Sequence, residues 1–86
     1  MRQKREAVPL KDLEPGAKGM VADLVFAEPQ ILRRLTTLGL IPGELVVVEQ
    51  CRPDYLIRFG YTRLAINRRV AEGIKVYKMA GSPEKG

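Results

Sequence analysis

The side chains able to do chemistry are few. Histidine is absent and cysteine occurs once, at Cys51. The commonest general base is therefore missing, and the thiol has no imidazole to activate it as a nucleophile. Serine also occurs once, and no GxxxxGK[ST] phosphate-binding loop is present. These absences argue against an enzyme. Ferrous and zinc sites rely mainly on His, Cys and carboxylates. Glu49, Cys51 and Asp54 lie close enough in sequence to approach one another around a hairpin. Acids beside a turn are ordinarily solvated, so no metal or cofactor is assigned to them.

Positive charge is the second resource. The chain carries a net charge of +5, but five of its fifteen Lys and Arg residues (Arg2, Lys4, Arg5, Lys78 and Lys85) lie in or near the ends. Arg33 and Arg34 fall on the polar face of a helix, and Arg68 and Arg69 on a terminal helical turn. Arg58 and Arg63 can meet across a hairpin. Such a rim suits an acidic protein surface or anionic headgroups, or is ordinary solvated charge. Tyr55, Tyr61 and Tyr77 with nearby basic residues offer the alternative of base stacking on nucleic acid, although aromatics make up only 6%. Addition of a partner strand to an exposed sheet edge is a further alternative.

The elements that must position these groups centre on residues 29–48, PQILRRLTTLGLIPGELVVV. Ile31, Leu32, Leu35 and Leu38 share one helical stripe. Pro29 suits the first turn, Gly39 the left-handed stop, and Leu40 the hydrophobic contact that folds back on the cap. Pro42-Gly43 suits a type II turn, and Leu45 to Val48 a strand. Leu35, Leu38, Leu40 and Val46 read as core. Leu40-Ile41-Pro42 has a second reading, a small exposed apolar patch for a partner.

Around this block the alternation predicts a first strand over 18–26, with Met20, Ala22, Leu24 and Phe26 on one face. Gly19 marks a bulge or a close backbone approach. A second strand is expected over 44–50, a third over 55–59, a fourth over 61–66 and a fifth over 74–79. Asn67 is expected to cap one helical turn, 68–72, and Leu10 and Leu13 to tuck against the core. Short antiparallel strands in a small chain leave edges, which closure removes. The expectation is therefore a mainly β fold: a five-stranded, strongly bent barrel, one helix between strands one and two, and a short helical turn before strand five.

Eighty-six residues make one domain. Residues 1–8 read as a mobile arm, 9–79 as the barrel and 80–86 as a mobile tail. No apolar run is long enough to cross a membrane, and the basic N-terminus lacks an apolar signal core. A cytoplasmic protein is expected, in keeping with a single cysteine.

Residues 34–43, RLTTLGLIPG, with the Val46–Val48 strand, resemble the signature of FeoA-like domains. So does the closing pattern of residues 64–76, LAINRRVAEGIKV, and the opening of residues 10–16, LKDLEPG. The hairpin at 50–54 is shorter than the glycine-containing segment of many relatives. The resemblance implies a Src-homology-3-like barrel. It also implies a standalone accessory of bacterial ferrous-iron uptake acting beside the cytoplasmic GTPase part of the FeoB permease, with membrane association through that partner and transition-metal binding known only at family level. Arg33, Arg34, Leu40, Ile41, Pro42, Arg68 and Arg69 are then the expected partner-binding residues, with a small-barrel nucleic-acid or general protein-interaction module as the alternative.

Overall fold

The computed structural model describes residues 6–79. The elements are β1 (Val8–Pro9), a 3-10 turn (Leu10–Asp12), β2 (Lys18–Leu24), α1 (Pro29–Thr37), β3 (Leu45–Gln50), β4 (Tyr55–Phe59), β5 (Thr62–Ile66), α2 (Arg68–Gly73) and β6 (Ile74–Lys78). The strands form one six-stranded sheet in the order β1-β6-β2-β3-β4-β5, with antiparallel pairing throughout.

Two features correct the sequence expectation. The sheet has six strands where five were expected, and its end strands, β1 and β5, do not pair, so it is not a closed barrel. The added strand is only two residues long: Val8 lies opposite Val76 and Pro9 opposite Lys75. Pro9 has no N–H to offer a further neighbour, which makes β1 a natural edge. Helix α2 and the 3-10 turn pack beside that edge. Val8, read as part of an arm, thus belongs to the sheet. The remaining arm and tail expectations, for 1–5 and 80–86, fall outside the described residues.

Local rules explain the central block. Pro29 opens α1, and Gly39 adopts φ 104° just past its end. The Leu40 N–H donates to the Leu35 carbonyl and the Gly39 N–H to that of Thr36, both at 3.0 Å. This pair of bonds is the double closure of a Schellman cap, with the two leucines in the positions that make its apolar contact. Pro42-Gly43 then turns the chain, closed by the Glu44 N–H donating to Ile41 at 3.0 Å. Gly43 takes φ 96°, as a type II turn requires. The turn is fastened to β2: the Gly43 N–H donates to the Val21 carbonyl at 2.8 Å, and the Val21 N–H to the Glu44 carbonyl at 2.9 Å.

The core draws on five of the six strands, both helices and the 3-10 turn. It includes Leu10, Leu13, Val21, Leu35, Leu40, Val46, Val48, Ile57, Phe59, Ile66, Ala71, Ile74 and Val76. No buried polar or charged residue interrupts it among the described residues. In β2 the buried residues are Gly19 and Val21, while Met20 and Ala22 are half-buried. The register with β6 shifts between Val21 and Asp23, so Leu24 and, beyond the strand, Phe26 pack against the same core. A bulge changes which alternate residues face inward, and strict alternation therefore failed here. Gly19 proves to be the close approach: a Cβ there would lie 2.9 Å from the Val76 Cβ.

Gly73 is tighter still. A Cβ at that position would meet the Phe26 ring and stand 2.6 Å from the Val25 carbonyl oxygen, a backbone atom with little room to yield. Gly73→Ala is expected to destabilise by about 1–3 kcal/mol, the usual cost of overpacking. Urea unfolding monitored by tyrosine fluorescence checks it.

Candidate functional site

Helix α1 presents two kinds of surface. Leu35 is buried and Ile31 half-buried, which anchors the helix. Leu32 and Leu38 share the apolar stripe yet remain 37% and 39% exposed. Leu38, expected in the core, is therefore a surface residue. Periodicity shows which way a helical side chain points but not how much of the stripe the sheet covers. Arg33 and Arg34 are exposed, and neither has an ion-pair partner among the described residues.

The turn beyond α1 divides in the same way. Leu40 is fully buried, which corrects its expected place in an exposed patch. The reason is the Schellman cap: it draws Leu40 back over Leu35, and the turn bonds to Val21 hold it there. Ile41 and Pro42 stay exposed. The accessible apolar surface of this region is thus Leu32, Leu38, Ile41 and Leu45, with Leu40 as its support from within.

Asn67 caps α2 by accepting the Val70 N–H at 2.9 Å. Arg68 and Arg69 are exposed on the first turn that follows. Arg68 stands 4.0 Å from Glu72, a loose surface pair that leaves its charge largely available. Between α1 and β5 lies a groove of about 280 Å³, lined by Ile31, Arg34, Leu35, Leu38, Leu64, Ala65, Ile66, Asn67 and Val70. The structure therefore brings Arg34 beside the start of α2. Arg69 lines an adjoining cavity of about 500 Å³ that shares Ile31, Asn67 and Val70 with the groove.

Arg58 and Arg63 do face each other across the β4–β5 hairpin. Their charge is largely spoken for. Glu49 receives the Arg58 Nε–H on one carboxylate oxygen at 2.7 Å and two Arg63 N–H groups on the other at 2.9 and 3.1 Å. Glu49 lies at the register shift between Val48 and Gln50, which the alternation of β3 alone did not reveal. The hydrogen bond from Arg58, then that from Arg63, holds its carboxyl below the ordinary value of 4.5.

The other candidate constellations are not assembled. Glu49 is occupied by two guanidinium groups, and the Cys51 thiol donates to the Leu13 carbonyl at 3.7 Å. No group of three or more His, Cys, Asp or Glu is placed to hold a metal among the described residues. The three tyrosines do not share a face. The Tyr55 hydroxyl donates to the Lys11 carbonyl, Tyr61 sits fully exposed at the hairpin tip, and Tyr77 is half-buried on β6, with β2 and β3 between that strand and β4. No described helix is long and apolar enough to cross a membrane.

Two expected outcomes separate support from surface. Leu40→Ala should cost about 2–5 kcal/mol in denaturant unfolding. Ile41→Ala, by contrast, should stay within about 0.5 kcal/mol of the parent. The Glu49 cluster predicts a pH dependence. Because its carboxyl is depressed in the folded state, its contribution is fully present above the unfolded value of 4.5 and is lost as pH falls through the lower folded value. The gap in urea midpoint between the parent and Glu49→Gln should narrow on that acid side, and added salt should narrow it at neutral pH.

Comparison with known proteins gives this arrangement its relatives. The family model described as the FeoA domain matches residues 8–78. A crystal structure of an iron uptake regulatory protein (FeoA) is 30% identical, covers 86% of this chain and 99% of its own, and superposes with a TM-score of 0.75. The solution structure of FeoA from Chlorobium tepidum is 32% identical, covering 87% of this chain and 73% of its own at a TM-score of 0.79. FeoA from Stenotrophomonas maltophilia, 27% identical with a TM-score of 0.71 over 83% of this chain and 88% of its own, was solved with zinc and described as a prokaryotic SH3 domain protein. A manganese-dependent transcriptional repressor, 20% identical, shares the fold at a TM-score of 0.80 over 90% of this chain and 39% of its own. No curated protein sequence matches at comparable significance. With the opening, the cap-and-turn block and the closing strand all inside the matched span, this chain belongs to the FeoA domain family.

Proposed function

We propose that this chain is a non-enzymatic accessory of bacterial ferrous-iron uptake, which binds the cytoplasmic GTPase part of a FeoB-type permease and modulates transport. Membership of the FeoA family supports the role in ferrous-iron transport. The S. maltophilia relative is described as possibly a ferrous iron transport activating factor. The observation that carries the binding role is the surface around the end of α1. There Leu38 and Ile41 are exposed at 39% and 46%, in the segment that follows Arg33 and Arg34, which have no ion-pair partner among the described residues.

Apolar anchors surrounded by cationic side chains are what a protein partner of opposite charge can use. The anchors supply affinity, and the charges steer encounter and fix orientation. Arg33, Arg34, Ile41, Pro42, Arg68 and Arg69 form the proposed contact set. Leu40 acts only by holding the turn in place. In this reading the protein works in the cytoplasm and reaches the membrane through its partner. It carries no metal of its own; ferrous iron is the cargo of the permease.

Binding of the intact chain to the purified GTPase domain of a ferrous-iron permease tests the proposal. Ile41→Asp and Arg33→Glu are both at exposed positions and should leave the unfolding midpoint nearly unchanged. Each should weaken binding by about tenfold or more, read by calorimetry. Undiminished binding by both variants would reject the surface, and no binding by the parent would reject the function.

A further inference from the structure

Strand β5 is one edge of the sheet, and among the described residues its only hydrogen-bonded neighbour strand is β4. Alternate N–H and C=O groups of such a strand point away from that neighbour, free to template another strand. The opposite edge, β1, is two residues long and carries Pro9. Strand β5 has five residues, Thr62–Ile66, without proline, and pairs with β4 in continuous register. A charged side chain on an edge commonly repels strand addition. Here that charge, on Arg63, is held by Glu49.

Beside this edge runs the 280 Å³ groove, with Leu38 of α1 on one side and Leu64 of β5 on the other. Its one charged lining residue is Arg34. The groove therefore combines open backbone, apolar walls and a single sign of charge.

We propose that β5 accepts an extended acidic segment of a partner protein as an additional strand. The groove-facing side chains of that segment, every second residue, are apolar where they enter between Leu38 and Leu64 and carry a carboxylate where they meet Arg34. Charge decides among occupants. A second copy of this chain would bring another Arg34 to the same groove, in a chain whose net charge is already +5. Like charges brought that close repel. An acidic segment turns that penalty into attraction. This inference deepens the proposed function by naming the chemistry of the partner's contact, and it rests on that reading for the partner's nature.

The test titrates the isotopically labelled full chain with a pool of short synthetic peptides in which every second residue is valine, isoleucine or leucine, save one glutamate on that same face, with threonine or serine between. A second pool carries lysine in place of glutamate. The glutamate pool should shift the backbone resonances of residues 62–66 and slow exchange of the outward-facing amides, whereas the lysine pool should do neither. Arg34→Glu, an exposed substitution, should leave the folded spectrum intact and weaken binding of the glutamate pool by about tenfold or more. Equal binding of both pools, unprotected β5 amides, or self-association of the chain through β5 would overturn the proposal. Peptide binding without binding of the permease domain would sink the transport reading and leave the groove's chemistry standing. Permease binding that survives Arg34→Glu and leaves β5 unprotected would sink the groove alone.

Discussion

The structure depends on a reciprocal pair of backbone hydrogen bonds between a turn and a strand. The Gly43 N–H donates to Val21, and the Val21 N–H donates to Glu44. These bonds fasten the Pro42-Gly43 turn to β2 at the residue where its register with β6 begins to shift. A matching exchange fastens the other turn, Pro15-Gly16: the Gly16 N–H donates to Val48 at 2.7 Å and the Val48 N–H donates to Ala17 at 3.0 Å. Each turn gives up its N–H to the strand that the other turn leads out of or into. Strands β2 and β3 are thereby locked at both ends, and Val21, Val46 and Val48 are fully or almost fully buried between the pinned ends. Such a small core tolerates little slack, because each buried side chain is a large share of the total.

That lock also shapes the outer surface. It fixes where the chain leaves α1, so Leu40 is drawn inside while Ile41 and Leu38 stay out. The charges are sorted by the sheet. Glu49 occupies Arg58 and Arg63 on the β3–β5 side, where their forked donors suit a carboxylate held between them. Arg33, Arg34 and Arg69 have no such partner among the described residues. Exposed arginines without an ion-pair partner among the described residues thus stand on α1 and at the start of α2, the region that also leaves apolar side chains exposed. Coincidence of the two on one side gives the partner-binding account its physical content.

Much of this was legible in the sequence where the governing rules are local. Pro29, Gly39 and Leu40 announce a helix and its cap. Pro42-Gly43 announces a turn, and Asn67 announces α2. Tyr55 to Phe59 and Thr62 to Ile66 alternate cleanly because no bulge interrupts their pairing. What the sequence hid was set by pairing across long separations. The Val8–Val76 contact spans almost the whole chain and leaves no local mark. The register shift after Val21 reverses the inward set without a glycine or proline to signal it. The Glu49 cluster required the β3–β4 register, including its own shift. For the candidate surface, the arginines were visible as residue types, but their partners were not. Leu38 looked like core because its spacing is right, and only the position of α1 over the sheet shows that it is half outside.

The central claim is that the exposed end of α1 meets a component of the ferrous-iron permease in the cell. A photo-reactive amino acid placed at the position of Leu38 tests it most directly. After irradiation of iron-limited cells, the cross-linked material would be identified by mass spectrometry, with the same residue at the position of Tyr61 as the control. The account predicts an adduct with the cytoplasmic GTPase part of the permease from position 38 and none from position 61. Adducts from position 38 confined to ribosomal proteins or nucleic acid, or identical adducts from both positions, would contradict it.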